Sequence, residues 1–386
     1  IDVLYMTPIF KSNSSHKYDT IDYYQIDPSF GTTEDLRELV QEAHKRGMKI
    51  VMDAVFNHTG REFFAFEDIM EKGEKSKYLD WYYIEKFPLK SERGEIPNYK
   101  CFGYYGGMPK LNLKNPEVEK FFTDVACYWI KECDIDGWRM DVGDEISHYF
   151  WKNFRRAVKA VKKDMLIIGE IWHYAGDFLE GDEWDTVMNY PFYLNLIDLL
   201  ADEKINVSQF IQNLGYLKGR LNKKCYPLMW NLIDSHDTAR FLHLCNDNKK
   251  KQHLAAAFQL LLPGMPMIYY GDEFAMPGAN DPDCRRGMYW DEEYQDKEML
   301  EWYKQLLKVR KNHACIVEGE PMELAARDEE ETIVLTRKNG EETLALIFNC
   351  SSSARMFNEY AQKYDLLREN PFDGKIEGLD AAVIVL

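Results

Sequence analysis

Four short segments carry the side chains that could do chemistry, and each begins where an apolar run stops. After residues 49–52 come Asp53, Asn57 and His58, and after Gly137-Trp138 come Arg139 and Asp141. After Leu166-Ile167-Ile168 come Gly169, Glu170, Trp172 and His173, and after Leu232-Ile233 come Asp234, His236, Asp237 and Arg240. A single aspartate at a strand end is usually a turn or helix cap. Four carboxylate-bearing ends on one rim are costly, because clustered like charges oppose ionisation, and such clusters mark function. The sequence has no Gly-x-Ser-x-Gly elbow and no His-Glu-x-x-His. Paired carboxylates with aromatic neighbours suit glycoside cleavage instead. One carboxylate attacks the anomeric carbon while the other protonates the leaving oxygen. An arginine beside the attacking group favours its ionised form.

Such groups need a scaffold that aligns strand ends. Apolar runs at 3–10, 49–56, 137–142, 166–172, 186–190, 229–233 and 265–270 read as strands, each followed by a helical pattern. In the helix expected at 33–46, Leu36, Leu39, Val40 and Ala43 share a face, and Gly47 is its stop. Asn115 followed by Pro116 caps another helix, lined by Val118, Phe121, Phe122, Val125, Trp129 and Ile130. Further helices are expected at 145–163, 208–220, 249–262 and 293–313. Strand–helix alternation on this scale implies a parallel sheet with crossovers. Seven strands suggest an α/β fold, a (β/α)8 TIM barrel lacking its first strand. The alternative is a doubly wound open sheet, whose Gly-x-Gly-x-x-Gly or Walker A turn is not found. The expected division is a barrel over 1–57 and 114–313, an inserted domain over 58–113 and a C-terminal antiparallel β domain over 314–386.

With the strand ends in place, a resemblance becomes specific. Asp53-Ala54-Val55-Phe56-Asn57-His58, Gly137-Trp138-Arg139-Met140-Asp141, Gly169-Glu170-Ile171-Trp172 and Ser235-His236-Asp237 resemble the four ordered signature regions of the α-amylase family of retaining glycosidases. Thr7-Pro8-Ile9-Phe10 is similar to the end of that family's second strand, and residues 264–273 to its eighth. The resemblance implies Asp141 as nucleophile, Glu170 as general acid/base and Asp237 as the third carboxylate, which binds and distorts the sugar ring. It implies Arg139 as the group orienting the nucleophile, His58 and His236 as sugar ligands, and Tyr18 as the stacking tyrosine. Met108-Pro109-Lys110-Leu111-Asn112 resembles the fifth-region signature of the neopullulanase, cyclomaltodextrinase and maltogenic amylase group. Trp172 and His173 fit that group, with the tryptophan on the acceptor side. Tyr190 and Phe102 would add stacking surface, and Asp281 and Arg285 would contact a more distant sugar. Gly143-Asp144 departs from the group's usual Ala-Asn and adds a negative charge near the acceptor side.

The implied activity is retaining hydrolysis of α-1,4, and in some relatives α-1,6, glucosidic bonds in cyclomaltodextrins, pullulan or maltooligosaccharides. The alternatives are a conventional α-amylase or α-glucosidase of the same family, or an inactive scaffolding homologue, which would lack the acidic triad retained here. No metal ligand set is expected. Asn57 matches a calcium-linked position in secreted relatives, and calcium remains an option only for a longer protein.

Composition narrows the partners. Among 386 residues, 65 acidic against 48 basic side chains give a formal charge of −17, which disfavours nucleic acid and anionic membranes. No apolar run reaches transmembrane length. The eight cysteines form no Cys-x-x-Cys pair, which favours reduced thiols and a cytoplasmic location. Ile1 already opens a strand, so a preceding strand and β domain are expected upstream. A homodimer through those residues is also expected.

Overall fold

A computed structural model describes residues 1–90 and 96–386. The chain divides into two units, Ile1–Ile171 with Asp177–Val187, and Trp172–Gly176 with Met188–Leu386.

In the first unit the strands are β1 (Val3–Met6), β2 (Phe10–Ser12), β3 (Thr20–Ile26), β4 (Lys49–Ala54), β5 (Gly137–Met140), β6 (Leu166–Gly169) and β7 (Thr186–Val187). A five-stranded parallel sheet runs in the order β1-β4-β5-β6-β7, and β2 and β3 form a separate antiparallel hairpin. Helices Thr33–Lys45, Pro116–Cys133 and His148–Val161 connect successive strands of the sheet. The central strands β4 and β5 are buried almost throughout, which explains their unbroken apolar reading. Thr32 and Asp35 close a capping box on the first helix, and the Asn115 side chain accepts from Glu117 N at the start of the second. Gly47, with φ of +73°, ends the first helix as expected. Its buried stripe is Leu36, Val40 and Ala43; Leu39 lies outside it, 40% exposed.

The strands are shorter than their apolar runs. The run at 3–10 breaks into β1 and β2, β4 stops at Ala54, β5 at Met140 and β6 at Gly169. Val55, Phe56 and Ile171 beyond these ends are fully or almost fully buried, so they are apolar through packing rather than extended pairing. The chain turns there, and the turn aims the polar side chains.

The second unit has two short parallel strands, β8 (Trp230–Asn231) and β9 (Met265–Pro266). Met188 makes a parallel bridge to Trp230, and helix Tyr190–Leu196 starts immediately afterwards. Helices Val207–Arg220, Lys249–Leu261 and Lys297–Asn312 follow. A six-stranded antiparallel sheet follows, in the order Glu320–Arg327, Thr332–Asn339, Glu342–Asn349, Asp380–Val385, Tyr364–Asp365 and Asn370–Pro371. Its central strands are buried on both faces. Ile333, Leu344, Leu346 and Phe348 join the core of the helices, where Phe348 stacks on Phe258 at 4.3 Å. Val334, Ala345 and Ile347 face a second core with Phe357, Phe372 and Ile376. Double coverage hides the alternation that a one-sided sheet would show in sequence.

Candidate active site

In the first unit Arg139 sits on β5 with no exposed surface. Its Nη1 lies 2.8 Å from Asp141 Oδ1, and its Nη2 2.8 Å from Glu170 Oε2. Asp141 follows β5 by one residue and Glu170 follows β6 directly, so adjacent parallel strands deliver both carboxylates to one guanidinium. Both are buried, at 5% and 7% exposure. Buried carboxylates side by side need such a counter-charge to coexist. The Val142 backbone N–H also donates to Glu170 Oε2 at 2.9 Å.

Asp53, on β4, is singled out at a strand end in the sequence but given no role of its own. Its Oδ1 and Oδ2 accept from Arg139 Nη1 at 3.2 and 3.1 Å. Tyr5 on β1 and Tyr18 both donate to Oδ2, at 2.6 and 3.0 Å. Burial pushes the Asp53 carboxyl up to about 6, against the pull of Arg139. Tyr18 is therefore fixed by its hydroxyl. The signal for Asp53 was present in the sequence: one carboxylate inside an otherwise apolar strand, flanked by Met52 and Ala54.

His58 is 1% exposed and stacks on Phe102, with ring centroids 5.2 Å apart and planes 18° apart. Its Nε2 donates to the Tyr18 carbonyl at 3.0 Å, which assigns the hydrogen to that nitrogen. Burial, and secondarily the Lys110 charge, lower its pKa to about 4, so the imidazole is neutral at pH 7. Lys110 donates to Asn57 Oδ1 and pairs with Glu145 Oε2 at 2.8 Å. A divalent cation at Asn57 does not fit these residues, because an ammonium already holds the amide oxygen. Among the described residues no group of three His, Cys, Asp or Glu is arranged to hold a metal.

In the second unit the segment after β8 carries the other predicted residues. Asp237 Oδ2 lies 3.2 Å from His236 Nε2. Arg285 ties this turn together, with its Nε 2.7 Å from the His236 carbonyl and 3.1 Å from Asp281 Oδ1, and its Nη2 3.5 Å from Asp237 Oδ1. The expected Asp281–Arg285 pair is thus formed, and it extends to the predicted carboxylate. Tyr190 and Ser235 share a hydroxyl–hydroxyl hydrogen bond of 3.2 Å, and Ser235 Oγ accepts from Asp237 N. Trp172, 40% exposed, stacks on Tyr190 at 3.8 Å and 13°. An exposed indole on a fixed ring offers a flat apolar face with polar edges, the surface a sugar ring uses. His173 is exposed and faces the Tyr174 carbonyl at 3.3 Å.

Beneath this turn Asp234 and Asp272 are both 1% exposed. Arg240 Nη1 contacts Asp272 Oδ1 at 3.1 Å, and Asp234 Oδ2 accepts from Phe241 N at 2.7 Å. Burial raises the pKa of both carboxyls.

Residues 1–294 match the family profile "Alpha amylase, catalytic domain". The chain is 46% identical over 351 residues to a cyclomaltodextrinase of Geobacillus thermopakistaniensis, covering 91% of this chain and 59% of that protein. It is 48% identical over 321 residues to neopullulanase 2 of Thermoactinomyces vulgaris, covering 83% of this chain and 54% of the relative. A solved cyclomaltodextrinase superposes with a TM-score of 0.94 at 37% identity, covering all of this chain and 68% of that one. The chain thus spans less than two thirds of the length of these curated relatives. Its strands are those of the family's (β/α)8 barrel, with an antiparallel C-terminal sheet, and the chain belongs to the α-amylase family.

Proposed function

We propose that this chain carries the active site of a retaining α-glucan hydrolase acting on cyclomaltodextrins, pullulan or short maltooligosaccharides. The observation that carries the reading is the single buried guanidinium of Arg139 bridging Asp141 and Glu170. A shared anchor brings the two carboxylates close together, as a double-displacement mechanism requires. Asp141, ion-paired with Arg139, attacks the anomeric carbon. Glu170 gives its proton to the leaving oxygen and then takes one from the water that opens the glycosyl-enzyme.

Asp237 and His236 would bind sugar hydroxyls, and Arg285 with Asp281 would hold their turn. Tyr18 and His58, like His236, would bind the sugar on the non-reducing side of the scissile bond, Phe102 and Tyr190 would add stacking surface, and Trp172 and His173 would serve the acceptor side. The insert at 58–113 would shape the cleft, and 314–386 would form a separate β domain. Eight cysteines with no Cys-x-x-Cys pair suit a reducing cytoplasm. A homodimer built on residues outside this chain fits the relatives' greater length. Among the described residues no helix is long and apolar enough to cross a membrane.

The test is a parallel digest of a cyclomaltodextrin, pullulan and starch. Faster ring opening than starch cleavage supports the reading; starch as the clearly preferred substrate favours a conventional α-amylase.

A further inference from the structure

Glu170 Oε2 accepts from the Val142 N–H at 2.9 Å and is ion-paired with Arg139 Nη2 at 2.8 Å. An oxygen that already accepts a backbone N–H and lies against a guanidinium charge is a poor place for a proton, so the transferable proton of Glu170 belongs on Oε1. The Val142 N–H comes from an unusual backbone: φ is +47° and ψ +44°. A β-branched side chain is strained in this left-handed region, and strain persists only where the surroundings impose it.

Two sets of contacts impose it. Residues Gly143–Glu145 form a short turn directly after Val142. On one side, Gly143 lies against Trp184, where an added Cβ would come within 2.7 Å of the indole. The Gly143 carbonyl accepts from Trp151 Nε1 at 2.9 Å. On the other side is Lys110. Its Nζ lies 2.8 Å from Glu145 Oε2 and 3.3 Å from the Glu145 carbonyl, and it also donates to Asn57 Oδ1. The Lys110 backbone bridges His58. One ammonium thereby joins the inserted segment, the chain beyond β4 and the turn that follows Asp141.

We propose that Lys110 is a positioning residue for the acid step: by clamping the Glu145 turn it holds the Val142 N–H on Glu170 Oε2 and so reserves Oε1 for the proton given to the leaving oxygen. This rests on Glu170 being the proton donor.

The test compares two substrates in the naturally occurring protein. Maltotriose needs a proton on its leaving oxygen; α-maltosyl fluoride loses fluoride with little need of one. Lys110→Met should lower kcat on maltotriose by about tenfold or more, with KM changed much less, and leave kcat on the fluoride nearly intact. Lys110→Arg should restore most of the loss. Should Lys110→Met not fold, Lys110→Gln is read by the same ratio. Equal losses on both substrates, or no loss on either, would overturn the proposal. Glu170→Ala measured alongside isolates the underlying assignment: if it retains maltotriose activity, Glu170 is not the acid and that reading is what fails.

Discussion

Arg139 Nη1 lies 3.1 Å from Asp53 Oδ2, and the same nitrogen lies 2.8 Å from Asp141 Oδ1. Asp53 and Asp141 therefore compete for one donor at the bottom of the site. With Glu170 on Nη2, three carboxylates lean on one cation. Each is tolerable only because the guanidinium presents several donors in a fixed plane, which a lysine could not do.

Removing Asp53 should expose that balance. Asp53→Ala deletes the partner that has both oxygens on Arg139 and takes an acceptor from the Tyr5 and Tyr18 hydroxyls. The expected cost is about 3 kcal/mol of stability, as for breaking a buried pair from one side. Urea unfolding measures it, and a change within error would mean that Asp141 and Glu170 alone satisfy the arginine.

Under the proposed function the roles of Asp141 and Glu170 are not exchangeable. Asp141→Asn should abolish attack and Glu170→Gln should abolish protonation, each lowering kcat by several orders of magnitude with folding preserved. Steady-state kinetics beside circular dichroism decides it. Near-normal turnover by Asp141→Asn would remove it as nucleophile.

His58 gives a pH signature. Its pKa falls to about 4 in the folded protein, below the ordinary value of about 6.5. A depressed folded pKa contributes stability that is present above the unfolded pKa and lost as pH falls through the folded one. Wild-type stability should therefore fall relative to His58→Gln between about pH 6.5 and 4, by at most about 1.4 kcal/mol per pH unit. Parallel unfolding curves across that window would show that His58 is not held neutral.

The sequence made most of the candidate site legible, because its residues stand directly after apolar runs and those runs mark strands. It was poor at finding where strands end: Val55, Phe56 and Ile171 are apolar because they are buried in turns. It named Asp53 without a role, and it passed over Tyr5 and Val142. Asp53 holds Arg139 and Tyr18, Tyr5 holds Asp53, and a left-handed valine leaves no mark in composition. In the C-terminal sheet, Glu320–Arg327 is largely exposed and carries no apolar run, so nothing in its sequence marks it as a strand.

The proposed double displacement predicts retention of configuration. Proton NMR of the first products should show the α anomer before mutarotation. A β anomer appearing first would require a water between the carboxylates and a wider separation.

The central claim is that Asp141 becomes covalently glycosylated. Incubation with 5-fluoro-α-glucosyl fluoride, which forms the intermediate faster than it is hydrolysed, followed by proteolysis and mass spectrometry, tests it most directly. The account predicts one hexosyl adduct on the peptide containing Asp141, absent from Asp141→Asn. An adduct on Glu170 or Asp237, or active enzyme that never accumulates one, would contradict it.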